Sequence, residues 1–173
     1  MRYFKWMSVI LVFSMAQHAS AGTSSGHETT LKKLVAALKT NKADNLLSMS
    51  MNHENTMRFL NKVKQHCGVN TYNANKTLLV TESTAQKFDE KNREQIHYYF
   101  KSLRKSFPDK FWHNAQLSSS KIIRKTNECG THYYSVSMKI QAGDKKVSVV
   151  ATLLNLDSDW ILQLFAHDVL SRY

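Results

Sequence analysis

The sequence predicts an α+β fold in which N-terminal helices pack on a four-stranded antiparallel meander. Between about Leu117 and Asp168, four runs of alternating apolar and polar residues are separated by short turns, which is the pattern of consecutive antiparallel strands. Upstream of these runs, apolar residues recur mainly at helical spacing. No repeat, low-complexity tract or linker divides the chain, so we expect one domain.

Residues 1–21 are predicted to be a signal peptide. Arg2 and Lys5 make a basic start, a short apolar stretch follows, and Ala19-Ser20-Ala21 supplies the small residues of a cleavage site. The apolar stretch, about ten residues long, falls short of the roughly 20 that a transmembrane helix requires. We therefore expect residues 22–173 to form a secreted or periplasmic domain with no transmembrane segment.

The expected mature chain is strongly basic. Loss of Arg2 and Lys5 with the signal peptide takes the formal net charge from +11 to +9. Such a surplus favours acidic partners, including nucleic acid, anionic lipid headgroups and negatively charged proteins or glycans. The alternative is a solvated basic surface that only keeps the domain soluble.

The mature chain keeps two cysteines, Cys67 and Cys129. Because an exported protein meets an oxidising compartment, we predict that they form a disulfide. The alternative is a pair of free, buried thiols. Two cysteines so far apart do not suggest a zinc site.

Short amphipathic helices are predicted before residue 68. They span Thr29 or Thr30 to Leu38, Asn41 to Met51, and Glu54 to His66. Gly68 is a suitable C-terminal cap for the third. A loop is then predicted at Asn70–Lys76 and a short strand at Thr77–Glu82.

The longest helix is predicted from Ser83 to about Ser106. Ser83 and Gln86 have the spacing of a capping box, Ser-x-x-Gln, which satisfies backbone donors at a helix start. Pro108, the only proline, ends the helix. Phe111-Trp112-His113 is expected to connect it to the sheet.

Alternation assigns the two faces of each later strand. In the second strand the buried face is predicted to hold Tyr134, Val136, Met138 and Ile140. In the third it holds Val147, Val149, Ala151 and Leu153, and the other face is apolar enough for partial cover. The fourth sets Trp160, Leu162, Leu164 and Ala166 against Ile161, Gln163, Phe165 and His167. The links are predicted at Cys129-Gly130, at Ala142-Gly143-Asp144 and at Asp157-Ser158-Asp159.

This order of elements resembles the NTF2-like superfamily, with its cystatin-like cone of helices over a strongly curved sheet. The resemblance covers most of the mature chain, and Trp160-Ile161-Leu162-Gln163-Leu164 looks like the last strand of many such domains. It implies a curved sheet and a pocket between the helices and the concave face. Relatives use that pocket for small ligands, partner proteins or catalysis.

If the long helix lies over the concave face, its inward residues should face the strands and enclose this pocket. The residues expected there are His97, Tyr99, Leu103, Tyr134, Val136 and Trp160. We expect side chains to fill the space, because the large side chains available nearly suffice for a domain of this size. An open pocket would instead hold an apolar ligand.

No stretch of the sequence identifies a reaction. It contains no Gly-x-Ser-x-Gly elbow, no phosphate-binding Gly-rich loop and no His-x-x-x-His metal spacing, so we assign no catalytic residue, cofactor or metal. His97 on the long helix and His167 at the end of the last strand are the best acid or base candidates, since imidazole titrates near neutral pH. A pocket enzyme would use His97, His132 or His167 with a tyrosine. Asp168 cannot orient His167 if the strand continues, because adjacent strand residues point to opposite faces.

Aromatic and basic residues are interleaved from His97 to His113. A basic surface for partner binding is predicted at Lys101, Arg104, Lys105 and Lys110. Such a mixture can stack bases and pair phosphates, but the aromatic spacing is that of a core stripe. An exported protein rarely meets nucleic acid, so we do not expect nucleic acid as the partner.

Three hypotheses follow. The first is an exported, non-catalytic binding module for a protein, an envelope component or an anionic ligand. The second is a small pocket enzyme, a hydrolase or isomerase that uses a histidine with a tyrosine. The third is an exported inhibitor or immunity-type protein. Under the first, reversing the charge of all four basic residues should abolish partner capture without lowering the melting temperature.

Overall fold

A computed structural model describes residues 25–67 and 82–167. The predicted signal peptide, the loop at 70–76 and nearly all of the predicted strand at 77–82 lie outside the described residues. In chain order the elements are α1 (Ser25–Thr40), a 3₁₀ helix (Ala43–Met49), α2 (His53–Cys67), α3 (Glu82–Lys105), α4 (Asp109–His113), β1 (Gln116–Glu128), β2 (Thr131–Ala142), β3 (Lys145–Leu156) and β4 (Asp159–His167). The predicted α+β class, with helices followed by an antiparallel meander, is confirmed.

The helices differ from prediction mainly at their ends. α1 begins several residues before Thr29, and α3 already includes Glu82, so Ser83 lies inside the helix and is not its cap. The predicted connector at Phe111-Trp112-His113 belongs to a short helix, α4, in which the side chains of Phe111 and Trp112 are buried. The Trp112 indole N–H donates to the Arg104 carbonyl oxygen at 3.0 Å, which ties α4 to the end of α3.

The four strands form one antiparallel sheet in sequence order. All three predicted links are tight hairpins. The β1–β2 turn has positive φ at Cys129 (49°) and Gly130 (72°), and the β3–β4 turn at Asp157 (52°) and Ser158 (80°). Two successive positive φ values are typical of type I′ turns, whose twist matches that of the flanking strands.

The main core lies between one face of the sheet, here called the inner face, and the helices α1 and α3. The predicted inner-face residues of β2 and β3 are buried there, except Tyr134, which is partly buried and packs against the core. With the helices they form one cluster that includes Leu31, Leu34, Leu38, Ile96, Phe100, Leu103, Trp112, Val136, Met138, Ile140, Val149, Ala151 and Leu153. Burial of this apolar surface is the main force that holds the helices on the sheet.

The predicted faces of β4 are wrong beyond Leu162, because the strand contains a bulge. Leu162 pairs with Leu153, but Leu164 pairs with Thr152, which leaves Gln163 as an extra residue. The extra residue reverses the alternation. Phe165 therefore lies opposite Ala151 and is buried in the main core. Leu164 lies on the opposite face of the sheet, although regular alternation predicts that it shares a face with Trp160 and Leu162.

A second core covers the opposite, outer face of the sheet near the β1–β2 and β3–β4 turns. Apolar residues of α2 pack there against the strands, in a cluster that includes Phe59, Leu60, Val63, Leu154, Leu156 and Ile161. Burial of Leu154 confirms that the second face of β3 is partly covered. α1 and much of α3 thus cover the inner face of the sheet, and α2 covers the outer face, where Ala85 near the start of α3 joins the cluster.

The chain passes from the inner to the outer face around the edge of β4. Ser50 forms a single bridge with Leu162 of that strand. Buried amides hold this crossing: Asn55 donates to the Ser50 carbonyl oxygen at 2.7 Å, and Asn92 of α3 donates to its Oγ at 3.0 Å. The edge of β4 is therefore occupied at Leu162.

The predicted disulfide joins Cys67, at the end of α2, to Cys129 in the β1–β2 turn, with the two Cα atoms 5.3 Å apart. Arg58 and Lys62 of α2 make ion pairs with the β3–β4 turn. Arg58 Nη1 lies 2.8 Å from Asp159 Oδ2, and Lys62 Nζ lies 2.8 Å from Asp157 Oδ1. α2 is thus attached to both hairpins at one end of the sheet.

None of the helices described by the structure is long and apolar enough to cross a bilayer.

Candidate functional site

The expected pocket between α3 and the inner face is occupied by side chains. Leu103 and Val136 are buried in the main core, and Tyr99, Tyr134 and Trp160 pack against it. The ring centroids of Tyr134 and Trp160 are 4.8 Å apart. Five of the six predicted pocket residues therefore belong to the core or its border.

His97 is the sixth, and it lies outside the core on the surface of α3. Its Nε2 atom is 3.3 Å from Oδ1 of Asp44, and the two side chains are 46% and 81% exposed. Asp44 and His97 line a shallow groove that also includes Lys101. Sequence reasoning missed Asp44 because the 3₁₀ helix that carries it is distant in sequence from α3. An acid–histidine pair can transfer protons, but this one is open to water.

His132 lies at the turn end of β2, with its ring centroid 6.4 Å from that of Tyr134. Its buried Nδ1 atom has no hydrogen-bond partner among the described residues. Burial lowers the pKa of His132, and the charges of Lys125 and Lys62 lower it further. Both effects favour the neutral imidazole of His132. The side chain of His167, and Asp168 altogether, lie outside the described residues.

Sequence reasoning also missed a buried histidine, His27, near the start of α1. Its ring centroid is 5.4 Å from that of Trp160, and Thr30 donates to the Trp160 carbonyl oxygen at 3.0 Å. These contacts seat the first turn of α1 on β4. In residues 25–67 and 82–167, no group of three or more His, Cys, Asp or Glu side chains is placed to hold a metal ion.

The four residues of the predicted basic surface separate into two kinds. Lys101, Lys105 and Lys110 are exposed. The Arg104 side chain is only 9% exposed, and its guanidinium donates to the Leu38 carbonyl oxygen and to Asp109. Reversing the charge of Arg104 would therefore break internal contacts, which corrects the expectation that all four changes leave stability unaltered.

A second basic surface, on β1, was not predicted. β1 is exposed along most of its length, unlike β2 and β3. Its middle carries two isoleucines flanked by cations, Lys121-Ile122-Ile123-Arg124-Lys125. The cluster of three cations around two apolar residues is visible in the sequence, but strand alternation alone does not show that β1 is an edge.

Comparison with known proteins adds a distant likeness in fold. No protein-family model matches the chain, and no curated protein matches it. The chain is similar to a solved cystatin-like protein from Ruminococcus gnavus, with a TM-score of 0.48 and 12% sequence identity. The alignment covers 80% of this chain and 39% of that protein, so the chain spans well under half of the protein's length.

Proposed function

We propose that the chain is an exported, non-catalytic binding module of NTF2-like architecture, whose partner is a protein, an envelope component or an anionic ligand. The observation that carries the proposal is the packing of the predicted pocket residues. Tyr99, Leu103, Tyr134, Val136 and Trp160 lie in the main core or pack against it. Because these side chains contribute to the core, recognition on the outer surface is the better supported function.

The proposed contact surface is formed by Lys101, Lys105 and Lys110, which we call the α3–α4 basic surface. Lys101 and Lys105 line a shallow groove with Asn41 and Phe107. A groove with an apolar wall and cationic rims suits a partner that presents acidic groups beside an apolar side chain. An exported inhibitor or immunity-type protein would be one form of such a module.

Site-specific photo-crosslinking in the source organism tests the proposal. A photoreactive amino acid replaces Ser102, which is exposed on α3 between Lys101 and Lys105, and in a second variant it replaces the exposed Gln95. We expect a discrete covalent adduct from position 102 and none from position 95. The same adduct should disappear when Lys101→Glu, Lys105→Glu and Lys110→Glu are added.

The matched control reverses three exposed lysines elsewhere, with Lys32→Glu, Lys33→Glu and Lys64→Glu. It changes the net charge equally but leaves the α3–α4 basic surface intact, so the adduct should persist. Both triple variants should keep the wild-type melting temperature. An adduct that survives loss of the three α3–α4 lysines would refute the proposed surface.

The His97–Asp44 pair favours a second candidate, a small hydrolase. Its imidazole and carboxylate are close enough to share a proton, at 3.3 Å. A panel of nitrophenyl esters and phosphates tests this candidate with the wild type, His97→Ala and Tyr99→Phe. Turnover by the wild type that either substitution removes would replace the binding proposal with catalysis.

A further inference from the structure

β1 has one unpaired edge in the described part of the chain. One side of β1 pairs with β2 from Gln116 to Glu128, with bulges at Ser118 and Ile123, and no other described strand pairs with its opposite side. An edge strand presents a row of backbone N–H and C=O groups that can pair with another chain. The edge of β4, in contrast, is occupied at Leu162 by Ser50.

The centre of this edge is apolar. Among the described residues the exposed large apolar side chains are Tyr98, Ile122 and Ile123, so two of the three are neighbours on β1. Ile122 is 39% exposed and Ile123 is 55% exposed. Large exposed apolar side chains beside an open edge favour a partner that contributes both a strand and apolar side chains.

Cations surround this apolar centre on both faces of the sheet. Ile122 pairs with Val136 and Lys125 pairs with Tyr134, so both belong to the inner face. Lys121 and Arg124 pair with Ser137 and Ser135, on the outer face. A neighbouring strand would therefore meet two cations on its outer side and, on its inner side, Ile122 followed by Lys125.

These cations disfavour a second copy of the chain as the occupant. In an antiparallel pair of β1 strands that brings the two Ile122-Ile123 segments together, Lys121 of one copy would lie near Arg124 and Lys125 of the other. A parallel pair in register would place each cation beside its own copy. Like charges directly opposite each other destabilise a strand pair.

We propose that the free edge of β1 accepts an extended segment of a partner protein in which acidic and apolar residues alternate. The backbone of the segment pairs with β1, its acidic side chains lie beside Lys121 and Arg124, and its apolar side chains pack on Ile122. Alternation in the partner follows from the alternation of side chains along a strand. This site is separate from the α3–α4 basic surface and stands whether or not that surface binds a partner.

The test uses a synthetic peptide as the probe. Fluorescein-labelled Val-Glu-Val-Glu-Val-Glu-Val is titrated with the mature chain and binding is followed by fluorescence anisotropy. We expect saturable binding that weakens about tenfold or more in Lys121→Glu/Arg124→Glu, because two attractive cross-strand pairs become repulsive. Lys33→Glu/Lys64→Glu, which changes the net charge equally on exposed helical sites, should weaken it by less than about threefold.

Amide hydrogen exchange distinguishes strand pairing from simple charge attraction. When the peptide is bound, the amides of residues 118–127 should exchange more slowly, whereas those of α2 should not change. Ile122→Thr/Ile123→Thr keeps β-branched residues in the strand and should weaken binding by about fivefold through loss of apolar contact. Melting temperatures of all three double variants establish that they are folded.

Several results would overturn the proposal. The first is that the peptide does not bind, and the second is that Lys121→Glu/Arg124→Glu binds it as tightly as the wild type. The third is that the peptide binds without slowing exchange of the β1 amides. A dimer of the chain alone in analytical ultracentrifugation, with β1 amides protected, would assign the edge to a second copy. The variant Lys101→Glu/Lys105→Glu/Lys110→Glu should bind the peptide with at least a third of the wild-type affinity. Failure of one proposal is therefore distinguishable from failure of the other.

Discussion

Arg104 of α3 donates a hydrogen bond from Nη1 to the carbonyl oxygen of Leu38, 2.8 Å away in the last turn of α1. The last carbonyls of a helix lack partners within that helix, so the guanidinium satisfies one of them. The same group pairs with Asp109 at the start of α4 and lies over the Trp112 ring at 5.9 Å. One nearly buried cation thus connects three helices.

We expect Arg104→Met to lower the free energy of unfolding by about 2 kcal/mol, since hydrogen bonds from a charged group are lost and the Leu38 carbonyl loses its partner. Lys105→Met, next along α3 and exposed, should change it by less than about 0.5 kcal/mol. Urea denaturation at neutral pH measures both. Equal effects of the two substitutions would contradict the structural role of Arg104.

The disulfide should contribute strongly to stability. Cys67 and Cys129 are 62 residues apart, and closing a loop of that length stabilises by about 4 kcal/mol in the chain-entropy model. Cys67→Ser/Cys129→Ser should therefore unfold at a much lower urea concentration, and reduction of the wild type should reproduce that loss. Two thiols that can be alkylated in the denatured, unreduced protein would show that the bridge is absent.

Gly130 and Gly143 provide a matched pair for testing the packing of α2 on the β1–β2 turn. Both have positive φ, 72° and 63°, so alanine costs about 1–2 kcal/mol of backbone strain at each. At Gly130 a Cβ atom would also lie 2.5 Å from the His66 ring, whereas at Gly143 it would meet nothing within 4 Å. Gly130→Ala should therefore be the more destabilising, by about 1 kcal/mol.

Removal of His66 isolates this contact. In a His66→Ala background the difference between Gly130→Ala and Gly143→Ala should close, as a double-mutant cycle measures directly. A difference that persists without the imidazole would mean that backbone strain, and not the His66 contact, sets the cost at Gly130.

Acid should weaken the attachment of α2 to the β3–β4 turn. The hydrogen bond from Lys62 holds the pKa of Asp157 below its ordinary value of 3.8, with the charges of Lys62 and Arg58 acting in the same direction. The unfolded chain therefore takes up a proton at higher pH than the folded one. The ion pair stabilises the folded chain fully above the pKa that Asp157 has in the unfolded chain. This stabilisation is lost as the pH falls through the lower pKa that Asp157 has in the folded chain.

The comparison of Asp157→Asn with the wild type measures this effect. Asparagine tolerates the positive φ of the turn, so the substitution removes the charge and keeps the backbone. Melting temperatures from pH 6 to pH 3 should fall less steeply for Asp157→Asn, and Lys62→Met should behave like it. Parallel curves for wild type and variants would show that the ion pair contributes nothing to acid sensitivity.

The sequence predicts the meander well because apolar and polar residues alternate over long strands, with turn residues between the strands. It does not reveal the bulge at Gln163, since the apolar residues Leu162, Leu164 and Phe165 satisfy either assignment of faces. α4 is missed because a single helical turn has no measurable periodicity. The sequence does not predict the hydrogen bond of Arg104 either, because its acceptor, the Leu38 carbonyl oxygen, is 66 residues away.

In the part of the chain that the structure describes, the two edges of the sheet are unequal: no strand pairs with the outer edge of β1, whereas Ser50 bridges Leu162 at the edge of β4. Fibres built by sheet extension need each subunit to offer two free edges, one to receive a neighbour and one to be received. In the described part of the chain the edge of β4 is bridged at Leu162, and the cations of β1 repel an identical strand. If β1 accepts a partner segment as we propose, each molecule would take up one segment, and growth of the sheet by further copies of this chain would be disfavoured.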